Sequence, residues 1–85
     1  MRLEITRRTD LATRAFLHLA DQGERTKSPA LAEAVGTSPG FLSQAMTPLV
    51  AAGWVRSDPG PTGGYTALAD PTTVSVLDVI EAIEG

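Results

Sequence analysis

Few residues in this chain are equipped for covalent or metal chemistry. Cysteine is absent and His18 is the single histidine, which excludes thiolate nucleophiles, disulfides and cysteine-held metals. His18 falls on the polar side of an amphipathic stretch and has no partners at metal-ligand spacing. The run GPTGG at 60–64 is rich in glycine but lacks the lysine and hydroxyl spacing of a phosphate-cradling loop. No serine stands with a base in a nucleophile motif, so the sequence argues against an enzyme.

What remains is the chemistry of recognition. Arg2, Arg7, Arg8, Arg14, Arg25 and Lys27 are six of the seven basic residues, and all precede residue 28. Beyond it Arg56 faces six carboxylates, in a chain whose net charge is −3. Phosphate contacts must therefore come mostly from the N-terminal third, chiefly Arg2, Arg7, Arg8 and Lys27. A second set is neutral: Gly40, Ser43, Gln44 and Thr47 are spaced to share the outward side of one helix. A glutamine amide matches the hydrogen-bonding edge of adenine, and serine or threonine hydroxyls bond bases and phosphates alike. A polar face turned only to solvent has the same spacing, so both readings stand at this level.

The elements that must position these groups follow from periodicity and punctuation. Leu11, Ala12, Ala15, Phe16, Leu19 and Ala20 form an apolar stripe over 7–21, with Thr6 as N-cap. DQGERTK, 21–27, reads as a loop. A short helix begins at Ser28 with Pro29 at its first position and ends at Gly36, a left-handed cap. Ser38 and Pro39 repeat the start signal, opening a helix that runs to Gly53 and whose first backbone N–H groups can receive a phosphate. Small Ala32 and the turn at Gly36 suit two closely crossing helices. Pro48 interrupts that last helix and predicts a kink or break near 44–47.

Trp54–Arg56 and Tyr65–Leu68 read as two strands around the turn-forming DPGPTGG, in which Thr62 and the amides of Gly63 and Gly64 are the donors. Asp70–Pro71 opens another loop, and Ser75 with Asp78 forms a capping box for a final helix over 75–84. Three helices, a hairpin and a helix make a winged helix-turn-helix, mainly α with a small β-hairpin. The whole of 1–85 forms one domain, with the helix-turn-helix at about 28–53 and the wing at about 54–68. No apolar run approaches the ~20 residues that span a bilayer. The charged start MRLEITRRTD lacks a signal peptide's apolar stretch. A cytoplasmic location without membrane partners is expected.

Four stretches together resemble the Rrf2 family of winged-helix regulators, which includes IscR-, NsrR- and RirA-type proteins. They are MRLEITRRTDLATRAFLHLA, LAEAVGTSPGFL, AGWVRSDPGPTGGY and VSVLDVIEAIEG. The resemblance covers the chain end to end. It implies a transcription regulator, usually a repressor, binding partly palindromic operator DNA as a homodimer. It implies contacts from the N-terminal segment, the recognition helix (Ser38 to Gly53, through Ser38, Pro39, Gly40, Ser43, Gln44 and Thr47) and the wing (Arg56, Thr62, Gly63, Gly64). Family sensors carry three cluster cysteines and a long dimerisation helix beyond the position of Gly85. An iron–sulfur cluster is thus expected only in a protein that continues past Gly85 with cysteines, and no cofactor is expected in this chain. The family's wing usually carries Arg-Gly where Pro59 stands here, preceded by Asp58, and Pro48 and Val50 replace common basic residues. A winged-helix protein–protein interaction module, without DNA binding, is the alternative that this neutral surface allows.

Overall fold

The structure, a computed structural model, describes residues 6–60 and 63–84. Helix α1, Arg7–Gln22, is capped by Thr6, whose hydroxyl accepts the Thr9 N–H, and closes at Gly23 in the left-handed region (φ 71°). Strand β1 is only Thr26–Lys27, helix α2 spans Ser28–Val35, and helix α3 spans Pro39–Ala51. Strands β2, Val55–Asp58, and β3, Gly64–Ala67, form the wing, and a 3-10 turn at Pro71–Thr73 leads to helix α4, Val76–Glu84. Among the described residues no helix is long and apolar enough to cross a membrane.

The apolar stripes read from the sequence converge on one core. Leu19, Leu31, Leu42, Met46 and Leu49 are fully buried, and Val55, Tyr65 and Val79 close it from the sheet and α4. Ala32, 1 % exposed, lies between α2 and its neighbours. A larger side chain there would overpack the crossing by about 1–3 kcal/mol. Gly36 caps α2 at φ 76° and returns its N–H to Ala32 and Glu33, giving the tight turn into α3. The reciprocal bonds of Ser75 and Asp78 start α4 as the capping box demands. Asp70 accepts the Thr72 N–H and then its hydroxyl, which holds the Asp70 carboxyl below its ordinary range.

Two local expectations change. The stretch 21–27 is not all loop: Thr26 pairs with Tyr65 and Lys27 with Gly64, so the hairpin becomes a three-stranded antiparallel sheet of order β1-β3-β2. Two residues are too few to show a period of two, so this strand left no signal of its own. The pairing rests on Gly64, where a Cβ would overlap the Thr26 carbonyl. Nor does Pro48 break α3, which is helical throughout Pro39–Ala51. Ala45, Met46 and Leu49, on both sides of the proline, are all fully buried and hold the helix against the core. Ala52 N–H bonds the Pro48 carbonyl at 3.0 Å, so the ladder resumes at once.

Candidate nucleic-acid interface

The presented face of α3 is the one its spacing implied. Ser38 caps the helix by accepting the Phe41 N–H at 3.2 Å. Ser38, Pro39, Gly40, Ser43, Gln44 and Thr47 are all exposed, while Leu42, Ala45, Met46 and Leu49 point inward. Thr47 donates its hydroxyl to the Ser43 carbonyl at 2.9 Å, which occupies its proton. Ser43 and Gln44 are therefore the central hydrogen-bonding side chains of this face.

One flank of α3 carries Arg7 and Arg8, neither of which is ion-paired with the neighbouring Glu33 or Glu84 among the described residues. A groove of about 810 Å³ is lined by Arg7, Glu33, Gly36, Thr37, Ser38 and Phe41, so the first turn of α1 meets the α2–α3 turn. The Arg7 guanidinium lies over the Phe41 ring at 6.0 Å from its centroid, the outer limit of a cation–π contact. Arg8 joins Arg7, Thr6, Phe41, Ile83 and Glu84 around an adjoining groove. There Glu84 Oε2 accepts the hydroxyls of Thr6 at 2.8 Å and Thr9 at 3.0 Å, tying the end of α4 to the start of α1. Arg14 is engaged elsewhere on α1, 3.7 Å from Asp10. Arg2 lies outside the described residues.

The other flank is the wing, and its charge is compensated. Arg56 Nε donates to Asp58 Oδ1 at 3.2 Å, two residues along the same strand and on the same face. Ser57 alternates to the opposite face, paired with Tyr65. Both line a groove of about 280 Å³ with Ser43, Thr47, Val50 and Ala51 of α3. Gly63 and Gly64 are buried rather than presented. Gly63 donates its N–H to the Gly60 carbonyl at 2.9 Å and accepts from Ser28 N–H at 3.2 Å. A Cβ at 63 would overlap the Asp58 carbonyl, so both glycines serve the close approach of strands. Thr62 lies outside the described residues. Lys27 is exposed on β1, across β3 from Asp58.

Three participants were not singled out by the sequence: Phe41 beneath Arg7, and Ser57 with Tyr65 beside α3. Phe41 carries no polar group to mark it in the sequence, and only its place at the first turn of α3 hinted at a role beside the interface. For Ser57 and Tyr65 the missing signal was register, which two short strands do not reveal.

A cluster or metal does not fit the residues present. The chain has no cysteine, and among the described residues no group of three or more histidine, aspartate or glutamate side chains is placed to hold a metal.

Comparison with known proteins points one way. The sequence profile of the Rrf2 family, described as "Iron-dependent Transcriptional regulator", matches residues 5–85. A protein of Rhodobacter capsulatus that carries the name of an rrf2-like HTH-type transcriptional regulator is 36% identical, over 95% of this chain and 57% of its own length. The HTH-type transcriptional regulator IscR of Vibrio vulnificus is 33% identical over 96% of this chain and 50% of its own. This chain thus spans about half the length of the curated relatives it matches. Among solved structures, CymR of B. subtilis, described as its global cysteine regulator, superposes with a TM-score of 0.85 at 28% identity, over 99% of this chain and 67% of CymR.

Proposed function

The chain belongs to the Rrf2 family, and on that footing we propose that residues 1–85 are the DNA-binding domain of a transcription regulator. The observation that carries this reading is the exposed, small and polar face of α3 with Arg7 and Arg8 beside its N-terminal end. The helix-turn-helix, 28–53, lays α3 in the major groove. Gln44 reads an adenine edge, Gly40 lets the backbone approach, Ser43 bonds a base or a phosphate, and Thr47 offers its hydroxyl oxygen to a base donor. The amides beyond Ser38 and Pro39, with Arg7, Arg8 and Arg2, receive the adjoining phosphates. The wing, 54–68, with Arg56 and Thr62, and Lys27 behind it, adds weaker positioning contacts. The helix over 75–84 closes the domain against the start of α1.

The whole protein acts in the cytoplasm as a homodimer on a partly palindromic operator, and represses by occupying it. Residues 1–85 are assigned no catalytic role, and their partner is double-stranded DNA. The test is selection from a pool of random duplexes followed by binding of the Gln44→Ala variant. A recovered consensus, with preference relaxed at one adenine in the variant, supports the reading. Failure to enrich any sequence or bind duplex at low salt supports the rival module that binds protein. The neutral α3 face and the Arg56–Asp58 pair are the observations in that rival's favour.

A further inference from the structure

The groove between α3 and the wing holds a side chain that the reading above does not use. Tyr65 is 7% exposed, yet it lines this groove with Ser43, Ser57, Val50 and Ala51. Its ring is packed in the core cluster. No buried polar atom lacks a partner among the described residues, and no described group hydrogen-bonds the Tyr65 hydroxyl. Tyr65 thus borders the groove with its hydroxyl bonded to no described group, and a tyrosine commonly keeps one apolar and one polar end. Ser57 faces it from the neighbouring strand, and Ser43 bounds the groove from α3. Thr47 is on the same wall, but its proton is held by the Ser43 carbonyl. Val50 and Ala51 supply an apolar side.

We propose that this groove seats one sugar-phosphate unit of the DNA backbone, with Tyr65 as the positioning donor. The inference rests on the DNA-binding reading of α3. The hydroxyls of Tyr65, Ser57 and Ser43 donate to the phosphate oxygens, and the deoxyribose edge lies on Val50 and Ala51. Among the described residues the groove's lining holds no cation, and Arg56, on the opposite face of β2, is paired with Asp58. A neutral clamp of this kind holds a phosphate without displacing a condensed counterion. It adds affinity but leaves the salt dependence unchanged, because that slope counts phosphates neutralised by lysine and arginine. It also fixes the register of α3 and the wing on the duplex without reading sequence.

The test compares the chain with Tyr65→Phe, Ser57→Ala and Arg7→Ala/Arg8→Ala. Each is titrated with a selected duplex over a range of potassium chloride, with phosphate-ethylation interference on the same duplex. Tyr65→Phe keeps the ring packing, and Ser57 is exposed, so neither threatens the fold. Tyr65→Phe is expected to weaken binding about tenfold, the scale of one hydrogen bond to a charged group, with an unchanged salt slope. One phosphate whose ethylation blocks the parent chain should no longer matter to the variant. Full affinity and an unchanged interference pattern in Tyr65→Phe and Ser57→Ala, with loss in the arginine variant, overturns the clamp and leaves the DNA-binding reading standing. A parent chain that binds no duplex at low salt overturns both.

Discussion

The two flanks of α3 are built on opposite chemistry. On the α1 side Arg7 lies over Phe41 and Arg8 stands beside it, both exposed, at the end of α3 where the helix dipole also favours an anion. On the wing side the cation is compensated by Asp58 at 3.2 Å, and the groove is lined by hydroxyl and apolar groups. Attraction to a polyanion is therefore concentrated at one end of the proposed interface. The wing is shaped by backbone proximity instead: Gly63 and Gly64 are buried so that three strands can close. A winged helix can thus divide electrostatic capture and geometric register between its two sides.

The largest effect expected from disturbing this contrast is on stability. Gly64→Ala drives a methyl group into the Thr26 carbonyl and should cost roughly 3 kcal/mol, the upper range of overpacking, by chemical denaturation. Near-neutral stability would show that the β1–β3 pairing is not needed to hold the wing. Pro59→Arg places a cation at the exposed end of β2, where the wing lacks one. Tightening of general duplex binding by roughly 1 kcal/mol is expected at low salt, the scale of one net hydrogen bond. Asp58→Asn should act less strongly, about threefold, by two routes: it removes a repelling charge and releases Arg56 from its pair. If the released guanidinium meets a phosphate, the salt slope steepens by about 0.9. Unchanged binding in both variants, with the fold intact, would place the wing away from DNA. Smallest is Phe41→Leu, which keeps an apolar side chain but removes the ring face under Arg7. A two- to threefold loss of duplex affinity is expected from an exposed cation–π contact of about 0.5–1 kcal/mol. No loss would mean that Arg7 needs no such support.

The same contrast separates what was legible in the sequence from what was not. The caps at Thr6, Gly36, Ser38 and Ser75 are local chemistry, written in residues three or four apart, and each stands where the sequence put it. The exposed face of α3 followed from a helical period that needs no tertiary information. Strand β1 did not, because its pairing with β3 joins residues almost forty positions apart and depends on a glycine whose purpose is contact with another strand. At Pro48 intrinsic propensity allowed a kink or a break; the helix is unbroken, and the burial of Ala45, Met46 and Leu49 on both sides of the proline holds it together. The Arg56–Asp58 pair was not read from the sequence, although strand alternation sets the two on one side. Tyr65 read as the start of a strand, and only the sheet's register against α3 gave its hydroxyl a place.

The central claim, that the first turn of α1 carries the electrostatic part of DNA binding, is tested most directly by one salt titration. Duplex affinity is measured against potassium chloride for the parent chain and for Arg7→Ala/Arg8→Ala, on the same DNA. With two phosphate contacts removed, the slope of log affinity against log salt should flatten by about 1.8, and binding should weaken alike on all sequences. A parent chain that binds duplex DNA with the same slope as the double variant would contradict the account.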